Sequence, residues 1–395
     1  MQGSVVIIGG GVMGAATACF LARDHAAQVT VLERDPTYRR ASSALSASSI
    51  RQQFSTPVNI ALSAWSMDFL RRIDRELAVD GQAPAIGLTE SGYLYLAGDE
   101  AAAAAMRRDH ALQRAMGVEV ALLEPRALQA RFAWLSTEGV VLASLGLRGE
   151  GWFDGPALMQ AFRRKAIACG ARFVHAEAAG FVTEGARVQA VVTADGQRHG
   201  ADAFVLAAGA WTAPLSARLG LRLPVVARKR DVFVIDAPVR YADAPLLIDP
   251  SGVWCRPEGR GWIAGAPPRP VEAGGPGDPD EPPLEVIDHA LFDEVIWPAL
   301  ARRVPAFEAL RVRSAWAGYY EMNLHDHNGL AGPLPGWRNA YTACGFSGHG
   351  MQQAPAVGCA LASMVAQAPC AAPDLAPLHP SRLNAAAASV EARVI

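Results

Sequence analysis

Ser4-Val-Val-Ile-Ile-Gly-Gly-Gly-Val-Met-Gly14 decides how this chain is read. Ser4 to Gly9 is a continuous apolar run, the pattern of a parallel strand buried on both faces. Gly9, Gly11 and Gly14 then satisfy G-x-G-x-x-G, which alone is a weak signal. Its context strengthens it. Ala15 to Arg23 carries helix formers, and Gln28 to Glu33 is a second buried strand that ends in an acid. That is a βαβ unit of about 30 residues with an acidic residue about 20 positions beyond the glycines, the arrangement that binds a dinucleotide.

Each residue has a separate physical task. Gly9 permits the tight turn. Gly11 removes a side chain where a pyrophosphate approaches the backbone, and Gly14 lets helix and sheet pack closely. The helix N-terminus offers free N–H groups and partial positive charge to phosphates. Glu33 would accept hydrogen bonds from ribose hydroxyls and repel a 2′-phosphate.

The 395 residues suffice for about two to three domains. Apolar residues make up 51%, enough for a large core, and the net charge of -2 carries no nucleic-acid or anionic-membrane signal. No run is long and apolar enough to span a membrane, and the N-terminus lacks a charged leader region. Cysteines 19, 169, 255, 344, 359 and 370 form no C-x-x-C pair or zinc-type cluster. Reduced thiols in a cytoplasmic protein are expected. Lys165 and Lys229 are the sole lysines, so a lysine mechanism has two candidates.

Further along, Ala41 to Ser49 reads as a serine-rich loop and Asn59 to Leu77 as a helix. Glu90 to Leu96 reads as a strand, and Glu100 to Met116 and Gly155 to Gly170 as helices, the latter capped by Asp154. Ala203 to Trp211 is a buried strand ending in glycine. Asp231 to Ile235 and Gly261 to Gly265 suggest a more antiparallel region. Pro267 to Pro283 reads as a loop, His289 to Leu310 as helical and Ala385 to Val394 as a frayed helix. A last buried strand, Ala340 to Gly345, feeds a second glycine turn, Gly345-Phe-Ser-Gly-His-Gly350, and a helix starting near Met351.

Several motifs together resemble the D-amino acid oxidase/glycine oxidase superfamily. They are Val5 to Gly14 with Glu33, Ser48-Ser-Ile-Arg-Gln-Gln-Phe-Ser55, Gly151-Trp-Phe-Asp154 and Val205-Leu-Ala-Ala-Gly-Ala-Trp211. Trp316-Ala-Gly-Tyr-Tyr-Glu321 with Asp326-His-Asn, and Gly345 to Gly350, complete the set. Within it the chain resembles the sarcosine oxidase β-subunit-like branch, which includes the FAD-dependent oxidoreductase domain-containing proteins. The resemblance implies an α/β fold: a Rossmann-like FAD-binding domain assembled from separated segments, with an inserted antiparallel-sheet substrate domain. The expected segments are 1–87, 150–222 and 310–395 for FAD, and 88–149 and 223–309 for substrate.

By resemblance, Val12, Met13, Glu33 and Arg34 contact the adenosine-diphosphate half of FAD. Ser42, Ser43, Ser48 and Ser49 line the ribityl and flavin side. Ala208, Gly209 and Trp211 approach the cofactor, and Ser347, Gly348, His349, Gly350 and Met351 meet the flavin ring. The second turn would thus hold the reactive ring as the first holds the phosphates. Some members attach flavin to a cysteine in the stretch matching Tyr319 to Asn323, or to a histidine near the serine-rich loop. This chain has neither, so non-covalent FAD is expected.

Amine oxidation then needs little more than a held substrate and a stabilised reduced flavin. A carboxylate-bearing substrate calls for an arginine. Arg51, in Ile-Arg-Gln-Gln-Phe, resembles the substrate arginine of sarcosine oxidases, and Arg256 is a second candidate. Tyr320 stands where glycine and D-amino acid oxidases carry a carboxylate-binding arginine. His325 and His327 could move protons, or order the loop beside the flavin. Trp262-Ile263-Ala264 stands where monomeric sarcosine oxidases carry an oxygen-activating lysine, so slow reaction with O2 is expected, with a quinone or another flavoprotein as possible acceptor. The expected substrate is a small amino acid or N-alkyl amino acid. Alternatives are a 2-hydroxy acid dehydrogenase, or an assembly protein that keeps FAD without turnover.

Overall fold

The computed structural model describes residues 3–268, 282–384 and 389–393. A six-stranded sheet runs in the order Leu330–Pro333, Ala340–Cys344, Ala203–Leu206, Ser4–Ile8, Gln28–Glu33, Arg172–His175. Ser4–Ile8 lies inside it, parallel to both neighbours. Its alternate side chains serve two cores. Val5 and Ile7 pack with the helices Val12–Asp24, Gly155–Ala168 and Gly350–Ala366. Val6 and Ile8 pack with Val188 and Val191 of an antiparallel three-stranded sheet, Ala178–Glu184, Arg187–Thr193 and Arg198–Gly200. Burial on both faces is why this strand reads as an unbroken apolar run.

The first and last helices touch over a glycine. A Cβ on Gly358 would fall 2.7 Å from that of Ala16, so larger residues there would push the helices apart. Beside this contact Phe20, Phe69 and Phe162 form one cluster, with centroids 5.6–6.0 Å apart. Gly155–Ala168 starts as expected, with the Asp154 carboxylate accepting from Ala157 N–H at 2.8 Å.

An eight-stranded sheet covers the open side. Its order is Arg311–Asn323, Val225–Asp236, Gly261–Gly265, Trp254–Glu258, Leu246–Ile248, Tyr93–Ala97, Leu142–Gly146, Val120–Leu123. Neighbours are antiparallel except Leu246–Ile248 against Tyr93–Ala97. One face carries Phe233 and Trp262 against the helical segment at Phe292 and Phe307.

Four expectations differ from the structure. Arg311–Asn323 belongs to the eight-stranded sheet, although 310–395 was grouped with the nucleotide segments. Its long antiparallel pairing with Val225–Asp236 decides that. The serine-rich loop contains a short helix, Ser42–Leu45, and a two-residue strand, Ser49–Ile50. Asn59 to Leu77 is broken into Pro57–Leu70 and Ile73–Glu76. Residues 389–393 are not helical; they run against the core, with Glu391 fully buried. The expected Pro267 to Pro283 loop falls mainly outside the described residues, as does the rest of the expected C-terminal helix.

Candidate active site

The first glycine turn is built for close approach. Gly9 has φ +99°, and a Cβ there would sit 2.4 Å from the Ala207 carbonyl oxygen. A Cβ on Gly14 would sit 1.9 Å from the Gly9 carbonyl oxygen. No side chain caps helix Val12–Asp24 at Gly11. Glu33 accepts from Gly10 N–H at 2.7 Å and from Asp35 N–H at 2.9 Å, which pins the second strand to the turn. Ser43 reaches over from the serine-rich segment and accepts from Val12 N–H at 2.9 Å.

A cavity of about 760 Å³ opens from this turn and runs beneath the eight-stranded sheet. Gly9, Gly11, Val12, Met13, Glu33 and Arg34 line it, as do Ser42, Ser43, Ser48 and Ser49. So do Ala208, Gly209, Trp211, Gly348, Gly350 and Met351. No cysteine or histidine lines it among the described residues. Near the first turn, Arg34 stacks on Trp211 at 3.9 Å, and Arg40 donates to the Tyr319 hydroxyl at 3.0 Å.

The second glycine turn has its own constraints. Gly348 has φ +87°, and a Cβ there would lie 2.6 Å from the Tyr320 ring. Gly350 opens the last helix; its Cβ would lie 3.3 Å from Glu321 Oε1 and 3.5 Å from the end of Met13. Thus both turns meet at one cavity. Gly14 and Gly345 shape their turns from behind. Ser347 and His349, expected against the flavin ring, face away from the cavity. The Ser347 hydroxyl accepts from Asn323 N–H at 3.0 Å, and the His349 ring packs edge-on to Phe54 at 4.9 Å. Burial, aided by the charge of Arg51, pushes the His349 imidazole down to about 3, so it is neutral near pH 7.

Four of the expected substrate residues also lie outside the cavity lining. Arg51 is 3% exposed. Its guanidinium donates to the Tyr95 hydroxyl and to the Arg393 carbonyl, and it lies 4.3 Å over the Phe54 ring. Arg256, 4% exposed, donates to the carbonyls of Ala47 at 2.6 Å and Pro257 at 2.9 Å, and it pairs with Glu258. It ties the covering sheet to the serine-rich segment. His325 and His327 sit in the loop after Arg311–Asn323. His327 is left-handed at φ +59°, with Nδ1 3.3 Å from the Glu391 carbonyl. Around them Asp326, Asn323, Asn328 and Arg382 form a closed network, with Arg382 Nε to Asp326 at 2.8 Å. Those polar groups are used in holding the loop.

Tyr320 does line the cavity, and with it Tyr319, Glu321, Arg230 and Asp231. The Arg230 guanidinium lies 5.3 Å over the Tyr320 ring. The covering sheet therefore carries a positive charge at the cavity, although Trp262-Ile263-Ala264 supplies none. Burial pushes the Tyr320 hydroxyl up, so it stays a neutral donor. It pushes the Glu321 carboxyl up to about 7. Arg230 was legible as chemistry in Arg228-Lys-Arg-Asp. Its place was not, because it depends on strand register: Arg230 stands opposite Gly318.

Sequence comparison agrees with this geometry. The sequence pattern of the FAD dependent oxidoreductase (DAO) family matches residues 4–364. This chain belongs to that family. It is 43% identical to FAD-dependent oxidoreductase domain-containing protein 1 of Bos taurus, over 92% of this chain and 81% of that protein. It is 27% identical to the glycine oxidase of Pseudomonas putida, over 90% of this chain and 92% of that protein. Its fold is similar to that of L-proline dehydrogenase from P. horikoshii. The TM-score is 0.82, at 26% identity, over 97% of this chain and 98% of that one. The chain is a FAD-dependent oxidoreductase of this family. The helix N-terminus at the glycine turn, the close-approach glycines and the cavity where the two turns meet fit that cofactor. No helix among the described residues is long and apolar enough to cross a membrane.

Proposed function

We propose that this enzyme oxidises the C–N bond of a small amino acid or N-alkyl amino acid to an imine, and that Arg230 and Tyr320 receive the substrate carboxylate. The observation that carries this reading is the Arg230 guanidinium stacked on Tyr320 in the lining of the cofactor cavity. A guanidinium offers paired N–H donors to a carboxylate. The buried Tyr320 hydroxyl adds a further donor. Stacking fixes the guanidinium before the substrate arrives, which lowers the ordering cost of binding.

Bound FAD supplies the hydride acceptor. The protein residues do the holding and screening. Val232 and Trp254 of the covering sheet, with Ala266 just past its strand Gly261–Gly265, close the cavity with apolar surface. The bulk of Trp254 limits the room above a substrate and favours a small one. A hydroxy acid would need a base for its hydroxyl proton. His325 and His327 were the candidates, and both lie outside the lining, which favours an amine. The six free cysteines support a reducing compartment such as the cytoplasm. The electron acceptor we leave among O2, a quinone or another flavoprotein.

The test is anaerobic bleaching of the bound flavin by a panel of amino acids, N-methyl amino acids and hydroxy acids. Amino or N-alkyl amino acids should bleach it and hydroxy acids should not. Arg230→Ala should then raise the KM for the reactive substrate about 10- to 100-fold, the loss of a charge-assisted pair. Bleaching by hydroxy acids alone, or an unchanged KM, would sink the proposal.

A further inference from the structure

Glu321 is a carboxyl in an unusual place. It lines the cavity between the two glycines that face each other across it. A Cβ on Gly209 would lie 3.8 Å from its Oε2, and one on Gly350 would lie 3.3 Å from its Oε1. Both glycines leave open the space a carboxyl there can reach. Oε2 itself is shielded from solvent and has no hydrogen-bond partner among the described residues.

Other shielded carboxylates in this protein are compensated. Asp326 and Asp249 each face an arginine at 2.8 Å. Glu391 accepts from Ser55, Thr56 and Asn59. Glu150 accepts from the Gln52 and Gln53 backbones and from the Gln53 side chain. At Glu321 burial is the first influence, and the backbone N–H groups of Gly345 and Phe346 oppose it only in part, with no charged or side-chain donor joining them.

The neighbours of Glu321 do not neutralise it either. On its own strand stand Tyr319 and Tyr320. Across from it, on Val225–Asp236, stands Ala227, while Arg228 and Arg230 stand opposite Tyr320 and Gly318 and are not among the influences on its carboxyl. On Ala340–Cys344 the facing titratable group is the Cys344 thiol, which burial and Glu321 push up to about 12. Met13 from the first helix and the Gly209 turn bring no ionisable group.

We propose that Glu321 meets bound FAD as a carboxylic acid, and that it donates its proton in a hydrogen bond to an acceptor atom of the cofactor. An ionised carboxylate there would be acceptor-only, and it would place uncompensated negative charge beside a cofactor that gains charge on reduction. As an acid, the same side chain is a donor in a shielded site, where such a bond is strong. FAD binding is then linked to a proton. The empty site ionises with a pKa of about 7, while the occupied site keeps the proton. Affinity is therefore full below that pH and lost above it. This inference rests on the FAD site alone and not on the choice of substrate.

Two measurements on the holoenzyme test it. The first is infrared absorption. The carbonyl band of a protonated carboxyl should persist at pH 8 in the wild-type holoenzyme and vanish in E321Q. The second is FAD release on dilution, followed by flavin fluorescence. The wild-type Kd should rise about tenfold from pH 6 to pH 8, as expected for one proton with a pKa near 7. E321Q keeps a donor, so its Kd should match wild type at pH 6 within about twofold and stay flat to pH 8. Glu150, which burial also pushes up to about 7, lies outside the lining and serves as the control. If E321Q does not load FAD, Glu321→Met replaces it in the infrared comparison. A band that survives in either Glu321 variant, or one lost in E150Q instead, overturns the proposal. So does a Kd with the same pH dependence in wild type and E321Q.

Discussion

The second glycine turn has two sides with opposite uses of polar residues. On the cavity side stand Arg230, Tyr320 and Glu321, with space in front of them. On the far side Arg51, His349, Asn59 and Glu391 are buried and outside the cavity lining, with Asn59 donating to Glu391. Both sides contain an arginine and an acid. They differ in what adjoins them. Behind the turn the protein surrounds Arg51 and Glu391 with partners: Tyr95, the Arg393 carbonyl and the hydroxyls of Ser55 and Thr56. In front, Arg230 also has protein partners, the Tyr320 ring and the Lys229 carbonyl, but it borders the cavity. Residue type alone does not distinguish a ligand site from a polar core; the adjoining cavity does.

This contrast can be broken by substitution. Arg51→Ala should have the largest effect, a loss of about 2–4 kcal/mol of unfolding free energy in urea titrations. Tyr95 and the Arg393 carbonyl would lose a buried donor, and a cavity would remain. Where the variant is folded, its substrate KM should stay within about twofold of wild type. A KM raised tenfold or more would return Arg51 to the ligand side. Arg230→Ala is the converse: its urea midpoint should fall less than that of Arg51→Ala, because the stacking on Tyr320 and the bond to the Lys229 carbonyl are what it loses, while its KM rises more.

Glu391→Gln comes next, at about 1–2 kcal/mol, read by the same titration. Burial alone would raise the Glu391 carboxyl, but His349 and the donors Asn59 and Ser55 outweigh it and hold it at about 2, below its usual 4.5. Its contribution is thus present above about pH 4.5 and lost as pH falls towards 2. The gap between wild type and Glu391→Gln should accordingly narrow over that window. Ser347→Ala should have the smallest effect, about 1 kcal/mol, because one backbone N–H, that of Asn323, loses its acceptor.

How much of this was visible in the sequence follows from the range of the interactions involved. The first turn was legible because strand, glycines, helix and acid are consecutive, and Gly14 and Glu33 act within that unit, although the room Gly9 leaves is for the distant Ala207 carbonyl. The family motifs marked the second turn, but not which way its side chains face. Ser347 and His349 look like ligand contacts in a string of letters. They turn inward because the backbone at Ser347 is left-handed, at φ +49°. Arg51 drew attention by its motif, yet its partners lie at Tyr95 and Arg393. The cavity-side positions of Arg230 and Glu321 were not legible because they depend on the pairing of two strands about 90 residues apart. Long-range register carries no local signature.

The parallel sheet has a consequence for synthesis on the ribosome. Ser4–Ile8 emerges early, but its partner Ala203–Leu206 comes at mid-chain, and the next strand, Ala340–Cys344, much later. The helix that packs over Gly358 onto the first helix leaves later still. The nucleotide turn is thus translated early, yet the sheet and helix pair that hold it are completed only near the end. A nascent chain shortened before Ala366 should remain sensitive to protease and should not retain flavin.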